Sequence, residues 1–140
     1  MLRQLSVYAE NKKGTLEHIT SILLDHNINI LGSMTDDGAE YGVNRMVVSD
    51  PEVAMSSLEE AGYLCSVKDV IGVEIEDKVG NLNSLLKTLI QMNINVYYLY
   101  LSFDRKSGLP IMVFRTDDIW EVEEGLREKG YRVVEESAMY

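Results

Sequence analysis

Asn11-Lys12-Lys13-Gly14-Thr15-Leu16, with Asn27-Ile28-Asn29-Ile30 shortly after it, is the stretch from which the organisation of this chain follows. Both pieces return 66 positions downstream, as Asp77-Lys78-Val79-Gly80-Asn81-Leu82 and Asn93-Ile94-Asn95-Val96. Residues 14–30 aligned with 80–96 share six identities: Gly14/Gly80, Leu16/Leu82, Leu23/Leu89, Asn27/Asn93, Ile28/Ile94 and Asn29/Asn95. Chance would supply roughly one in such a window at ordinary composition. The chain is an internal duplication, and a period of this length is a structural unit stated twice.

The duplication divides the 140 residues into units 1–68 and 69–140. Domains that small bury a limited share of their surface, so each is expected to lean on its sister or on a second chain. At 46% hydrophobic and 26% charged the composition is that of a globular protein rather than a disordered one. A formal charge of −10 argues against nucleic acid and anionic membrane as partners, since both ask for a basic footprint. The one cysteine, Cys65, leaves no intramolecular disulfide to form, and no metal-type Cys/His spacing is present. The amino terminus lacks the apolar run of a signal peptide, and no stretch approaches the roughly 18 apolar residues of a membrane span. A cytoplasmic location is the expectation.

Within each unit the period of the apolar residues changes in the same order. Residues 3–10 place Leu5, Val7 and Ala9 on one face of a strand. Gly14 breaks that pattern, and Leu16, Ile19 and Leu23 then recur at helical spacing up to His26, with Asn27 as a left-handed cap. A strand over 28–34, a loop over 35–42 and a strand over 43–49 follow. Asp50-Pro51 opens a second helix, whose stripe is Ala54, Leu58 and Ala61 and which Gly62 ends. A short strand over 63–67 closes the unit. The second unit gives strand 70–76, helix 81–92, a strand over 95–103 that is apolar on both faces, and strand 109–115. A helix capped by Asp117 and Asp118 and a strand over 131–134 complete it. Both units read βαββαβ, the split βαβ or ferredoxin-like order, so the fold class is α+β.

Residues with chemical potential are few. His18 and His26 stand too far apart on one helix to share a metal. Asp36-Asp37 lacks the alternating ligands of a calcium loop, and Cys65 reads as core packing. No Ser/His/Asp or Cys/His set assembles in either repeat, and Gly14-x-Leu16 is not a dinucleotide fingerprint. No catalytic residue, metal or cofactor is expected. The repeated turn is different, because the N–H groups of Thr15 and Leu16, or of Asn81 and Leu82, open a helix where a carboxylate is a natural occupant. Asn11 and Asn29 offer amides that donate and accept, which suits a zwitterion. Capping alone accounts for Asn27 and Asn93. For Asn29 and Asn95 both readings stand.

Asn-x-x-Gly-x-Leu between strand and helix, followed by Asn-Ile-Asn-Ile at the second strand, resembles the ACT domain, and the resemblance covers nearly the whole chain as two tandem copies. It implies ferredoxin-like units whose sheets pack side by side. It also implies an amino-acid effector held between the glycine turn of one unit and the second strand of its partner. Carried over, Asn11, Gly14, Thr15 and Leu16 would face Asn95, and Asp77, Gly80, Asn81 and Leu82 would face Asn29. Lys13 and Val79 stand where the family often has proline, and Asp77 replaces the loop asparagine. A carboxylate there would repel another carboxylate, so the Asn11/Gly14 site is the favoured one. The resemblance implies a non-enzymatic sensor or regulatory protein of amino-acid metabolism, working as a homodimer or on a regulated metabolic enzyme. The alternatives are an assembly module, or a regulatory subunit without a working effector site.

Overall fold

A computed structural model describes residues 1–38 and 41–139 of the chain. It divides into two compact units, Arg3–Lys68 and Met1–Leu2 with Asp69–Tyr140. The first holds all but the first residue of β1 (Leu2–Ala9), α1 (Thr15–Asp25), β2 (Ile30–Asp37), β3 (Gly42–Val48), α2 (Pro51–Glu60) and the opening half of β4 (Leu64–Glu74). The second takes the closing half of β4 and continues with α3 (Asn81–Gln91), β5 (Tyr98–Phe103), β6 (Pro110–Arg115), α4 (Ile119–Glu128), β7 (Arg132–Val133) and a 3-10 turn over Glu136–Ala138.

Strand pairing is antiparallel wherever register is defined. In the first unit β3 lies between β1 and β2, pairing Leu5 with Met46 and Thr35 with Asn44, and β4 joins alongside β1. In the second, β6 lies between β5 and β4, pairing Leu101 with Met112 and Val73 with the same residue, and β7 adds beyond β4.

The duplication is repeated in the cores. Leu5, Val7, Ile19, Leu23, Met46, Ala54 and Leu58 pack together in the first unit. Ile71, Val73, Leu85, Leu89, Phe114, Val122 and Leu126 do so in the second. The offset is 66 up to the hairpin and 68 beyond it, so two residues were gained in the second unit without disturbing the core. Period-2 strands and period-3.6 helices presenting these positions to one another produce that result. The other sheet face is buried too: Gln4, Ser6 and Val47 in the first unit, Tyr100, Ser102, Ile111 and Val113 in the second. Gly72 is glycine for a steric reason, since a Cβ there would stand 2.6 Å from Leu2 Cδ1, and Leu2 is fully buried.

Helix ends follow local chemistry. Asn27 and Asn93 are left-handed at φ 56° and 60°, and Ile28 and Ile94 donate back to the carbonyls of Leu23 and Leu89 at 2.9 Å, the paired C-cap expected of them. Asp50 accepts from the Val53 N–H at 3.1 Å, as a cap should.

Four sequence expectations are corrected. The strands read separately as 63–67 and 70–76 are one eleven-residue strand, β4, because Lys68 and Asp69 between them are extended and make no turn. Strand β2 runs on to Asp37, held by the Asp37–Gly42 pair, so the expected loop over 35–42 is shorter, and its Ala39 and Glu40 lie outside the described residues. Ala61 is an exposed C-cap, and Ser57 takes its buried place by donating to the Val53 carbonyl at 2.6 Å. Asp118 occupies the N-cap of α4 but is left-handed and makes no cap bond, while Asp117 accepts from the Tyr97 hydroxyl at 2.6 Å.

Candidate functional site: two glycine hinges

Each unit turns from its first strand into its first helix through the same backbone. Gly14 has φ 89° and ψ −10°, and Gly80 has φ 89° and ψ −7°. Lys12 N–H donates to the Glu10 carbonyl at 3.0 Å, and Lys78 N–H to that of Glu76 at 2.9 Å. The first helical bonds, His18 N–H to Gly14 and Ser84 N–H to Gly80, are both 2.9 Å. An exposed ion pair closes each loop, Lys12 with Glu10 and Lys78 with Glu76. Those carboxylate–ammonium contacts raise both lysines, and Lys78 lowers Glu76.

A Cβ at Gly14 or Gly80 would meet nothing within 4 Å, so space is not the constraint. The positive φ is.

The donors also need correction. Thr15 N–H is bonded to the Lys12 carbonyl at 3.1 Å and Asn81 N–H to that of Lys78 at 3.2 Å, so neither is free for a guest. At the helix mouths the N–H groups of Leu16 and Glu17, and of Leu82 and Asn83, have no acceptor among the described residues. The donors therefore sit one residue further along than expected. A tight i−3 turn with the left-handed glycine inside it consumes the first amide.

The asparagines are distributed unequally. Asn11 is exposed and rests against β3, where a Cβ added at Gly42 would lie 3.2 Å from its own Cβ. Asn29 is anchored by its backbone, donating to Ser49 Oγ and accepting from Ser49 N–H, both at 2.9 Å, with its side chain exposed. Asn95 precedes β5 rather than opening it, and lines a separate hollow of about 240 Å³ with Ile90, Asn93 and Ile94. Asn81 turns inward and its amide donates to the Glu76 carbonyl at 2.9 Å.

A cavity of about 250 Å³ opens at the second hinge. Asp77, Lys78, Asn81 and Leu82 form its rim, and Ile75, Leu101, Phe103, Pro110 and Met112 form its wall. On its far side the hinge borders another hollow of about 270 Å³, with Glu74, Ser84, Tyr131 and Arg132. There Arg132 reaches Glu74 at 3.1 Å and Asp104 at 3.7 Å. Asp104 is buried and accepts the N–H groups of Ser107 and Lys106 at 2.9 and 2.7 Å, which hold its carboxyl below the ordinary range. Burial and the neighbouring Asp104 push Glu74 the other way.

Sequence reading did not find the wall residues. The pairing of Leu101 with Met112 and Phe103 with Pro110 brings them under the hinge. The usable signal was the apolar run of β5, with Leu99, Leu101 and Phe103 on one face.

The remaining side chains do not form a reactive set. His18 Nδ1 meets the Tyr63 hydroxyl at 2.5 Å, and His26 bonds the Ile22 carbonyl at 2.9 Å. Cys65 packs against the first core, and burial pushes its thiol up to about 11. Among the described residues no group of three or more His, Cys, Asp or Glu is placed to hold a metal ion, and no helix is long and apolar enough to cross a membrane.

Two βαββαβ units with duplicated glycine hinges at their helix mouths define the class. The chain belongs to the ACT domain pair family, whose model matches residues 1–140. It is similar over 99% of its length, at 28% identity and a TM-score of 0.88, to the crystal structure of protein BT0572 from Bacteroides thetaiotaomicron, of which 95% is covered. It shares its fold with the regulatory subunits of aspartate kinase from Thermus flavus (15% identity, TM-score 0.65, 89% and 88% of the two chains) and Thermus thermophilus (10%, 0.64, 90% and 91%). No curated protein matches the sequence.

Proposed function

We propose that this protein is a non-enzymatic regulatory or sensor protein of amino-acid metabolism that binds a small amino acid at its glycine hinges. Membership of the ACT domain pair family over the whole chain supports the reading. The observation that carries it is the pair of matched hinges, each with two backbone N–H groups at a helix mouth that have no acceptor among the described residues, beside charged loop side chains. Such amides favour a carboxylate, and Asp77 or Glu76 suits the ammonium of the same ligand. A neighbouring ACT-like unit, its sheet alongside, completes the cradle in this reading, with Asn29 or Asn95 of the second-strand entry as its contribution. The output passes through a partner enzyme or a change of assembly, the fold neighbours including aspartate kinase regulatory subunits.

Thermal unfolding of the full chain against each of the twenty amino acids tests the proposal. A ligand at a hundredfold its dissociation constant adds roughly 2.7 kcal/mol of stability, a shift of several degrees. Silence from all twenty, with a stable dimer, replaces it with the assembly-module reading.

A further inference from the structure

The two hinges share a backbone but stand over different walls. Strand register gives the correspondence directly. In the first unit Thr35 pairs with Asn44 and Asp37 with Gly42. In the second, Leu101 pairs with Met112 and Phe103 with Pro110. Polar and acidic side chains in one unit are thus replaced, place for place, by apolar ones in the other.

The packing under each hinge differs accordingly. Thr35 Oγ1 donates to Asn44 Oδ1 at 2.8 Å, so that wall satisfies itself. Asn11 settles onto the bare backbone of Gly42, where an added Cβ would also stand 3.0 Å from the Ala9 carbonyl oxygen. Under the second hinge Pro110 fills the Gly42 position and Phe103 the Asp37 position, and the cavity lies among them. Met112 is 4% exposed and belongs to the core, but Leu101 and Phe103 are each 50% exposed and Leu82 38%. Large side chains left half in water around a concavity have apolar area still to bury.

From this wall we infer that the second hinge is the selective one, and that its cavity takes the side chain of an α-amino acid with a bulky apolar side chain, aliphatic or aromatic. The inference rests on the amino-acid reading proposed above and adds the side-chain class and the hinge. Size agrees: about 250 Å³ lies just below the roughly 300–1,000 Å³ typical of drug-sized ligands. Charge agrees as well. Glu76 is paired with Lys78 at the rim, which leaves Asp77 to take the ligand's ammonium and repel a second carboxylate, so this reading reverses the preference for the Asn11/Gly14 site expected from sequence. Thr35 and Asp37 deny the first hinge the same guest.

The experiment is a titration of the full chain with L-leucine, L-methionine and L-phenylalanine on one side, and L-serine, L-aspartate and L-lysine on the other. It is followed by calorimetry and by amide NMR. The apolar group is expected to bind and to move the cross-peaks of Gly80, Leu82 and Asn83, leaving Gly14 and Leu16 in place. The double change Leu101→Thr with Phe103→Asp, which copies the first unit's wall, is expected to weaken binding by about tenfold or more. Thr35→Ala with Asp37→Ala is expected to leave it unchanged. The NMR readout uses the unaltered chain, so it decides the matter even where a variant folds poorly. Binding confined to serine, aspartate or lysine, or apolar binding that moves Gly14 and Leu16 instead, overturns this inference and leaves the amino-acid reading standing. No heat and no shift with any of the six at millimolar concentration overturns this inference, and the same silence from the other fourteen amino acids overturns both.

Discussion

Gly14 and Gly80 hold one backbone conformation, φ 89° in each with ψ within a few degrees, although 66 residues separate them. Neither has a heavy atom within 4 Å of where a Cβ would stand. Alanine at either position should therefore cost only the left-handed backbone penalty, about 1–2 kcal/mol. Asparagine should cost less. Urea unfolding of the four single variants measures this, and equal stability of alanine and glycine would refute the conformational account.

Asp104 and Glu74 should shape the pH dependence of stability in opposite senses. Asp104 is held below its ordinary value by the N–H groups of Ser107 and Lys106, so its contribution is present above pH 3.8 and is lost as pH falls through the lowered value. Glu74 is raised by burial and then by Asp104, so its contribution is present below pH 4.5 and is lost as pH rises through the raised value. Stability is expected to be greatest in mildly acidic solution. Asp104→Asn should flatten the acid limb and Glu74→Gln the limb toward neutrality, each read from denaturation midpoints across pH 3–8.

The aspartates before α2 and α4 look alike in sequence but are predicted to behave differently. Asp50→Ala removes a cap bond of 3.1 Å and should cost about 1 kcal/mol. Asp118 makes no cap bond and sits at φ 48°, so Asp118→Gly should be neutral or stabilising by a few tenths of a kcal/mol through relief of that backbone. Chemical denaturation of the two variants side by side separates these outcomes.

Cys65 should be inert in the folded chain. Its thiol is pushed up to about 11 by burial, with Glu59 adding to the effect, so little thiolate exists at neutral pH. Iodoacetamide at pH 7.5 is expected to label it more slowly in the folded chain than in urea, and mass spectrometry with and without urea reports the difference. Rapid labelling without urea would place the thiol outside the core.

Helix starts and stops were legible from local chemistry wherever one residue decides them. Asn27 and Asn93 as left-handed caps, Asp50-Pro51 as a helix start and the glycine turns all follow from short-range sterics. Local chemistry misled where a partner distant in sequence intervened. Asp117 resembles a cap, but the Tyr97 hydroxyl holds it. Ala61 continues the helical stripe by period, but the helix has already ended. Thr15 and Asn81 look like open donors until the carbonyls of Lys12 and Lys78 fold back on them.

The sequence by itself determined the repeat, the order of elements and the two hinges, because periodicity and left-handed glycines act over a few residues and need no neighbour to be recognised. Only the tertiary structure decided what lies beneath each hinge. Leu101 and Phe103 are remote from Gly80 along the chain, and it is the antiparallel register with Met112 and Pro110 that carries them to it. Register is a property of two strands together. A one-residue slip would turn the wall to the opposite face, and nothing within either strand alone forbids it.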